Sequence, residues 1–186
     1  MIEDIINIDR SFFLFLNNLG TEIYDPFWIF ISDQTYMFLL ISPFLFFYFY
    51  KEHQNKMFLG LFFLICCLGL TDFLHVHLFK NVFMRLRPCW DPDVAPFTRI
   101  LVDKGGLYGF VSGHAANSMT VVTFTLLYLK RYDLYFKYGL IFWVMLVSYS
   151  RIYLGKHFPL DILFGILLGF SIAYFVFKIH RNIIKI

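Results

Sequence analysis

Three short stretches of the chain carry residue types that together could manage a phosphate-like anion. The first is Lys80-Asn-Val-Phe-Met-Arg-Leu-Arg87-Pro88, the second Ser112-Gly113-His114, and the third Ser150-Arg151 followed by His157 and Asp161. Lys80 and Arg87 are seven apart, nearly two helical turns, so on a continuous helix both heads would project from one face, with Pro88 ending the helix. Two cations on a membrane helix are costly unless they meet an anion or water, but alone they could equally snorkel to lipid headgroups. A serine and a glycine at a helix start let backbone N–H groups close around an anion, with His114 in the first turn. Alone that triplet reads as a simple helix start. His157 and Asp161 are spaced to meet on one helical face, where a carboxylate can fix an imidazole tautomer and leave the other ring nitrogen free to attack. A buried structural pair would look the same. Jointly, three cations, two histidines, one carboxylate and an anion-binding turn are the equipment of phosphoryl transfer, which depends on positioning and charge neutralisation.

These groups need elements to hold them, and the sequence supplies apolar ones. Five segments approach the roughly 20 apolar residues that cross a bilayer. They are Thr35–Tyr50, Met57 to Val82, Ala115–Leu129, Tyr138–Leu154 and Phe158–Phe177. Ahead of them, Ile5–Leu19 and Tyr24–Ser32 are too short or too interrupted to cross and read as interfacial helices. The expected fold is an all-α transmembrane bundle of about five crossings in a single domain. Residues 1–34 form its interfacial part and 35–178 its catalytic bundle. Asp161, Gly165, Gly169 and Ala173 recur at steps of four, a small-residue stripe that admits a neighbouring helix closely. The long stretch from Pro88 to Val111 lacks helical character, and loops of that length usually carry function or are disordered.

Composition agrees. Of 186 residues, 59% are hydrophobic, 22% aromatic and only 16% charged, a departure from soluble domains toward a lipid-embedded one. A net charge of +3, without a basic run, argues against nucleic acid as a partner. Cys66, Cys67 and Cys89 have the spacing of neither a disulfide framework nor a zinc site and read as packing residues. His75 and His77 point to different sides of a helix and are discounted as a chelate, whereas Asp72 and His75 can form a polar pair beside the site. No cofactor or metal is expected. Glu3, Asp4 and Asp9 precede any apolar run, which is unlike a cleavable signal peptide. With five crossings, one side holds Lys51, Lys56, Lys130, Arg131, Lys137, Lys178, Arg181 and Lys185 against only Glu52 and Asp133. The other side has as many basic residues, but Lys80, Arg87 and Arg151 have a chemical reason to be there. Discounting them makes the first side, with the C-terminus, cytoplasmic and sets the three motifs on the outer face.

Taken with their spacing, the three motifs resemble the signature of the type-2 phosphatidic acid phosphatase superfamily. The resemblance covers roughly residues 36 to 178. The first and third motifs match in full. The second normally begins with proline, where this chain has Val111, a departure that bears on the shape of the turn. The resemblance implies an enzyme of a bacterial plasma membrane that hydrolyses a lipid phosphate monoester or diphosphate. His157 would attack phosphorus and form a phosphohistidine, with Asp161 orienting it. His114 would protonate the leaving oxygen and then activate water. Lys80, Arg87, Arg151, Ser112 and Gly113 would hold the phosphate oxygens. Among substrates, undecaprenyl diphosphate is expected first, with lipid A 1-phosphate or phosphatidylglycerol phosphate as the alternative. The loop Cys89–Phe110, with Trp90, Asp91, Asp93, Arg99 and Lys104, is the expected headgroup selector. From other classes, a vanadate haloperoxidase and a non-catalytic anion-binding membrane protein also share parts of this pattern. Oligomeric state is not legible.

Overall fold

The computed structural model describes residues 1–184. Among these it contains seven helices and no strand. They are α1 (Ile2–Asn18), α2 (Asp25–Ser32), α3 (Gln34–His53), α4 (Met57–Phe83), α5 (Gly113–Tyr128), α6 (Leu134–Tyr153) and α7 (Pro159–Ile184). The all-α expectation holds. By length and composition α4 and α7 can cross a membrane, and α2 with α3, bent by 65° at their junction, forms a third candidate span. The expected crossings at Ala115–Leu129 and Tyr138–Leu154 correspond to α5 and α6, which are shorter or more polar. The 16 residues of α5 reach about 24 Å at about 1.5 Å each, short of the roughly 30 Å hydrocarbon layer.

Helix α5 is instead the axis of the bundle, buried on nearly every side despite Asn117, Ser118, Thr120, Thr123 and Thr125. Two of its hydroxyls turn to backbone carbonyls: Ser118 donates to Ala115 at 3.2 Å and Thr120 to Ala116 at 2.9 Å. That satisfaction lets Ser118 and Thr120 sit in an apolar bundle at little cost. The small-residue stripe of α7 packs on it as expected. A methyl group on Gly165 would lie 2.6 Å from the Ser112 carbonyl, and Thr120 reaches the Gly169 carbonyl at 3.3 Å. Such close approach is the way packed helices in lipid gain contact without a hydrophobic driving force.

Helix α1 is more than an interfacial appendage. Its outward face is apolar, with Ile5, Ile8, Phe12 and Phe15 exposed, while Asp9, Phe13 and Asn17, spaced four apart, are buried. This is the inverse of a water-soluble helix and suits lipid outside and a polar site inside. Asn17 binds the start of the third-motif turn: its amide donates to the carbonyls of Ile152 at 3.0 Å and Tyr153 at 2.9 Å, and its oxygen accepts from Arg99 N at 2.8 Å. Residues 1–34 therefore pack against the end of the bundle that carries the third motif.

Candidate active site

Helix α4 carries Lys80 at the end of a π-helical stretch, His75–Lys80, a widening often found at functional sites. The helix does not run on to Arg87. It ends at Phe83, and Met84 takes a left-handed conformation with φ of 45°. Arg85 to Arg87 then extend, with Leu86 bridged to Tyr108. Arg87 N donates to the Leu107 carbonyl at 2.9 Å, and Gly109 N donates to that of Arg85 at 2.8 Å. Lys80 and Arg87 thus converge because the chain reverses, not because two helical turns separate them, and the helix stops four residues before Arg87. The Arg87 guanidinium is fixed by the Tyr108 carbonyl at 3.2 Å.

The second motif forms the N-terminus of α5. Ser112 is the cap residue, accepting from Ala115 N at 3.5 Å, while its own N–H donates to the Asp161 carbonyl at 2.9 Å. Gly113 is required by a neighbour: a Cβ there would lie 2.8 Å from His75 Nε2. The Asp72–His75 pair exists with Nδ1 3.7 Å from Asp72 Oδ1, and Asn117 holds Asp72 at 2.8 Å, so it buttresses this turn. His75 is buried but Asp72 is largely exposed.

The third motif occupies the turn from α6 to α7. Gly155 adopts φ of 72°, which a side chain would oppose, and a Cβ there would press on Thr98 and the Arg99 carbonyl at 2.8 and 2.9 Å. The turn closes through Lys156 N and His157 N, both donating to the Arg151 carbonyl, at 2.9 and 3.3 Å. Arg151 is buried and its guanidinium binds the Ser32 hydroxyl at the end of α2. His157 and Asp161 face each other, with Nδ1 3.6 Å from Oδ2, longer than a hydrogen bond. Asp161 instead accepts from Phe158 N at 3.0 Å and from Arg85 at 2.8 Å. Catalytic hydrogen bonds are often long before substrate tightens them. Gly109 leaves room here, since a Cβ would lie 3.1 Å from Asp161 Oδ2 and 3.5 Å from His157 Nδ1.

All eight residues singled out in the sequence are brought together. Lys80, Arg87 and Arg151 lie within electrostatic reach of His157, and His114 within reach of Arg151, His157 and Lys80. Burial, then the charges of Arg151, Arg87 and Lys80, holds the His157 imidazole well below its ordinary range, so it is neutral near pH 7. Lys156, absent from the sequence reading, joins the cations; burial and the charges of Arg151 and Arg87 push its ammonium down. Mutually repelling cations around a buried imidazole favour a multiply charged anion among them.

Other contributors also went unread in the sequence. Arg85, two residues before Arg87, bridges Asp161 and Asp9, and Ser32 reaches Arg151. Arg85 was visible as a second arginine inside the first motif; Asp9 and Ser32 left no local signal. The long loop is pinned rather than free. Asp91 and Asp93 pair with Arg10 at 2.8 and 3.1 Å, and Arg99 pairs with Asp25 at 3.0 Å. Of the expected selectors, only Trp90 and Lys104 remain unoccupied by such ties, with the Lys104 ammonium 4.5 Å from the Trp90 ring centre. Cys67 and Cys89 are buried as packing residues should be, whereas Cys66 is exposed.

The PAP2 superfamily model matches residues 58–185. The chain belongs to the PAP2 superfamily. The motif resemblance therefore stands, and with it the reading of the chain as an integral-membrane lipid phosphatase. Among curated relatives it is 32% identical over 180 residues to the lipid A 4'-phosphatase of Porphyromonas gingivalis, covering 96% of this chain and 75% of that one. Among solved structures, Aquifex aeolicus LpxE superposes with a TM-score of 0.69 at 25% identity, over 90% of this chain and 93% of that one. A transmembrane PAP2-type phosphatidylglycerolphosphate phosphatase from Bacillus subtilis superposes with a TM-score of 0.72 over 97% of this chain and 88% of that one. At 21% identity that second likeness speaks for the fold alone.

Proposed function

We propose that this PAP2 enzyme removes a phosphate monoester from lipid A, with the 4'-phosphate as the first candidate. The observation that carries this reading is the likeness along nearly the whole chain to a lipid A 4'-phosphatase. It includes α1 and α2, which the family's three motifs do not reach and which here build the wall of the site. On that ground lipid A stands ahead of undecaprenyl diphosphate, the substrate expected from the motifs, and closer to the alternative drawn from them.

The chemistry follows from the geometry. The phosphoryl group binds among Lys80, Arg87, Arg151 and Lys156, with the Ser112 hydroxyl and the Gly113 backbone N–H at the N-terminus of α5 donating to its oxygens. The neutral His157 attacks phosphorus; the P–O bond to the sugar breaks, and His114, which takes up a proton when the bound phosphate offsets the surrounding cations, donates it to the leaving oxygen. The N–P bond of the phosphohistidine is then cleaved by water, which surrenders its proton to His114. Asp161 orients His157 and balances the positive charge that grows on its ring. The lipid tail stays in the bilayer while the headgroup enters at the outer face, the orientation in which the C-terminus is cytoplasmic. Trp90 and Lys104 at the loop are the contacts left to read the rest of the headgroup.

The test is phosphate release by purified enzyme in EDTA from bisphosphorylated lipid A, undecaprenyl diphosphate and phosphatidylglycerol phosphate, with products mapped by mass spectrometry. Loss of the 4'-phosphate from lipid A is expected. Turnover confined to undecaprenyl diphosphate would replace the substrate, and release abolished by EDTA would overturn the metal-free mechanism.

A further inference from the structure

We propose that Arg85, locked in place by Asp9, is the positioning residue that aims Asp161 at His157, which makes the N-terminal helix a working part of the active site. The inference rests on the histidine-nucleophile reading above and adds Asp9, which lies outside the three motifs, and Arg85, which the first motif spans without specifying.

Asp161 is fully buried, and water does not hold its charge or its orientation. Arg85 does both, with Nη1 2.8 Å from Asp161 Oδ1, while Nη2 lies 2.6 Å from Asp9 Oδ2. Asp9, 76 residues away from Arg85 and 4% exposed, is itself fixed at its other oxygen by Leu160 N at 2.9 Å. The guanidinium also lies 4.3 Å over the Phe158 ring. Within the chain Leu160–Asp9–Arg85–Asp161, the three charged members are therefore each held by at least two contacts.

A guanidinium left with one carboxylate tends to grip both its oxygens. Splitting the fork between Asp9 and Asp161 prevents that and leaves Asp161 Oδ2, steadied by Phe158 N, on the side of His157 Nδ1 at 3.6 Å. Charge gives the same answer. One arginine shared between two carboxylates does not cancel the charge of Asp161, which faces the ring that becomes positive on phosphorylation. Without Asp9, Arg85 would close on Asp161 and cancel the charge that His157 needs.

The experiment is steady-state kinetics on lipid A with Asp9→Asn, Arg85→Gln and Arg85→Lys variants. Arg10→Gln, which cuts the ties from the same helix to Asp91 and Asp93, controls for looser docking of α1. Orienting groups one step behind the reacting ones are worth about ten- to a hundredfold when removed. Asp9→Asn and Arg85→Gln should lose kcat on that scale with KM nearly unchanged, Arg85→Lys should recover part of it, and Arg10→Gln should keep the wild-type kcat. Wild-type kcat in Asp9→Asn and Arg85→Gln, beside an inactive His157→Ala, overturns the proposal. So does an equal loss in Arg10→Gln, which would reduce the effect to helix docking. A His157→Ala protein that still turns over sinks the nucleophile reading instead, and the two failures are thereby distinct.

Discussion

The two ends of helix α5 are built on opposite principles. Its N-terminus, at Ser112 to His114, lies among buried polar groups, and Asn17 of α1, Ser32 of α2, Arg151 of α6 and Asp161 of α7 are each tied by at least one directional bond. Its C-terminus sits in an apolar, aromatic cluster where Phe124 and Phe49 are fully buried and Tyr128 stacks on both at 5.7 and 4.9 Å. Non-directional packing tolerates small shifts; a network of hydrogen bonds and charges does not, because each buried group left unpaired costs about 1–3 kcal/mol. The comparison teaches that one end sets chemistry and the other stability, although a single helix joins them.

The strongest way to break that division is at the polar end. His157→Ala should lower phosphate release by about a thousandfold or more, the scale seen when one member of a cooperating catalytic set is lost. Its thermal unfolding midpoint should stay near that of the wild type; an active variant would refute the assignment of His157. Gly109→Ala should follow, since its new methyl would crowd Asp161, Arg87 and His157 at 3.1 to 3.5 Å. Misplacement of reacting groups by about 1 Å costs about a hundredfold, and kinetics showing less than twofold loss would mean that the pocket yields easily.

At the apolar end, Phe124→Ala should destabilise the bundle by about 3–5 kcal/mol, the usual cost of emptying a buried aromatic site. The molecules that remain folded should keep the wild-type kcat. A kcat that falls in parallel with stability would show that the two ends are coupled through α5.

The smallest effect expected is on pH dependence. With its folded value held below the ordinary 6.5, His157 takes up a proton in the unfolded chain before it does so in the native one. Stability from this residue is therefore fully present above about pH 6.5 and is lost as pH falls from there toward the folded value. Unfolding midpoints measured from neutral to acid pH should decline less steeply in His157→Gln than in the wild type. Equal slopes would mean that the imidazole is not kept neutral by its surroundings.

Local spacing made part of the site legible. His157 and Asp161 share a helical face because four residues separate them, and Ser112-Gly113-His114 starts a helix because a capping hydroxyl and a glycine precede an apolar run. The small stripe at Gly165 and Gly169 was equally plain. Lys80 and Arg87 converge for a reason that spacing did not supply: the left-handed turn at Met84 and the Leu86–Tyr108 bridge redirect the chain. The interfacial reading of Ile5–Leu19 gave no role to Asp9 and Asn17, which tie α1 to Arg85 and to the third-motif turn.

The amino-acid order alone determined the helical class, the membrane setting and the motif residues, because apolar run length and i, i+4 spacing are local properties. Only the tertiary structure decided which groups stand behind them. Arg85 meets Asp9 and Asp161 across 76 residues in each direction, Ser32 reaches Arg151 across 119, and Asn17 reaches Ile152 across 135. Contacts so distant along the chain are fixed by how helices pack, and no periodicity in a sequence encodes them.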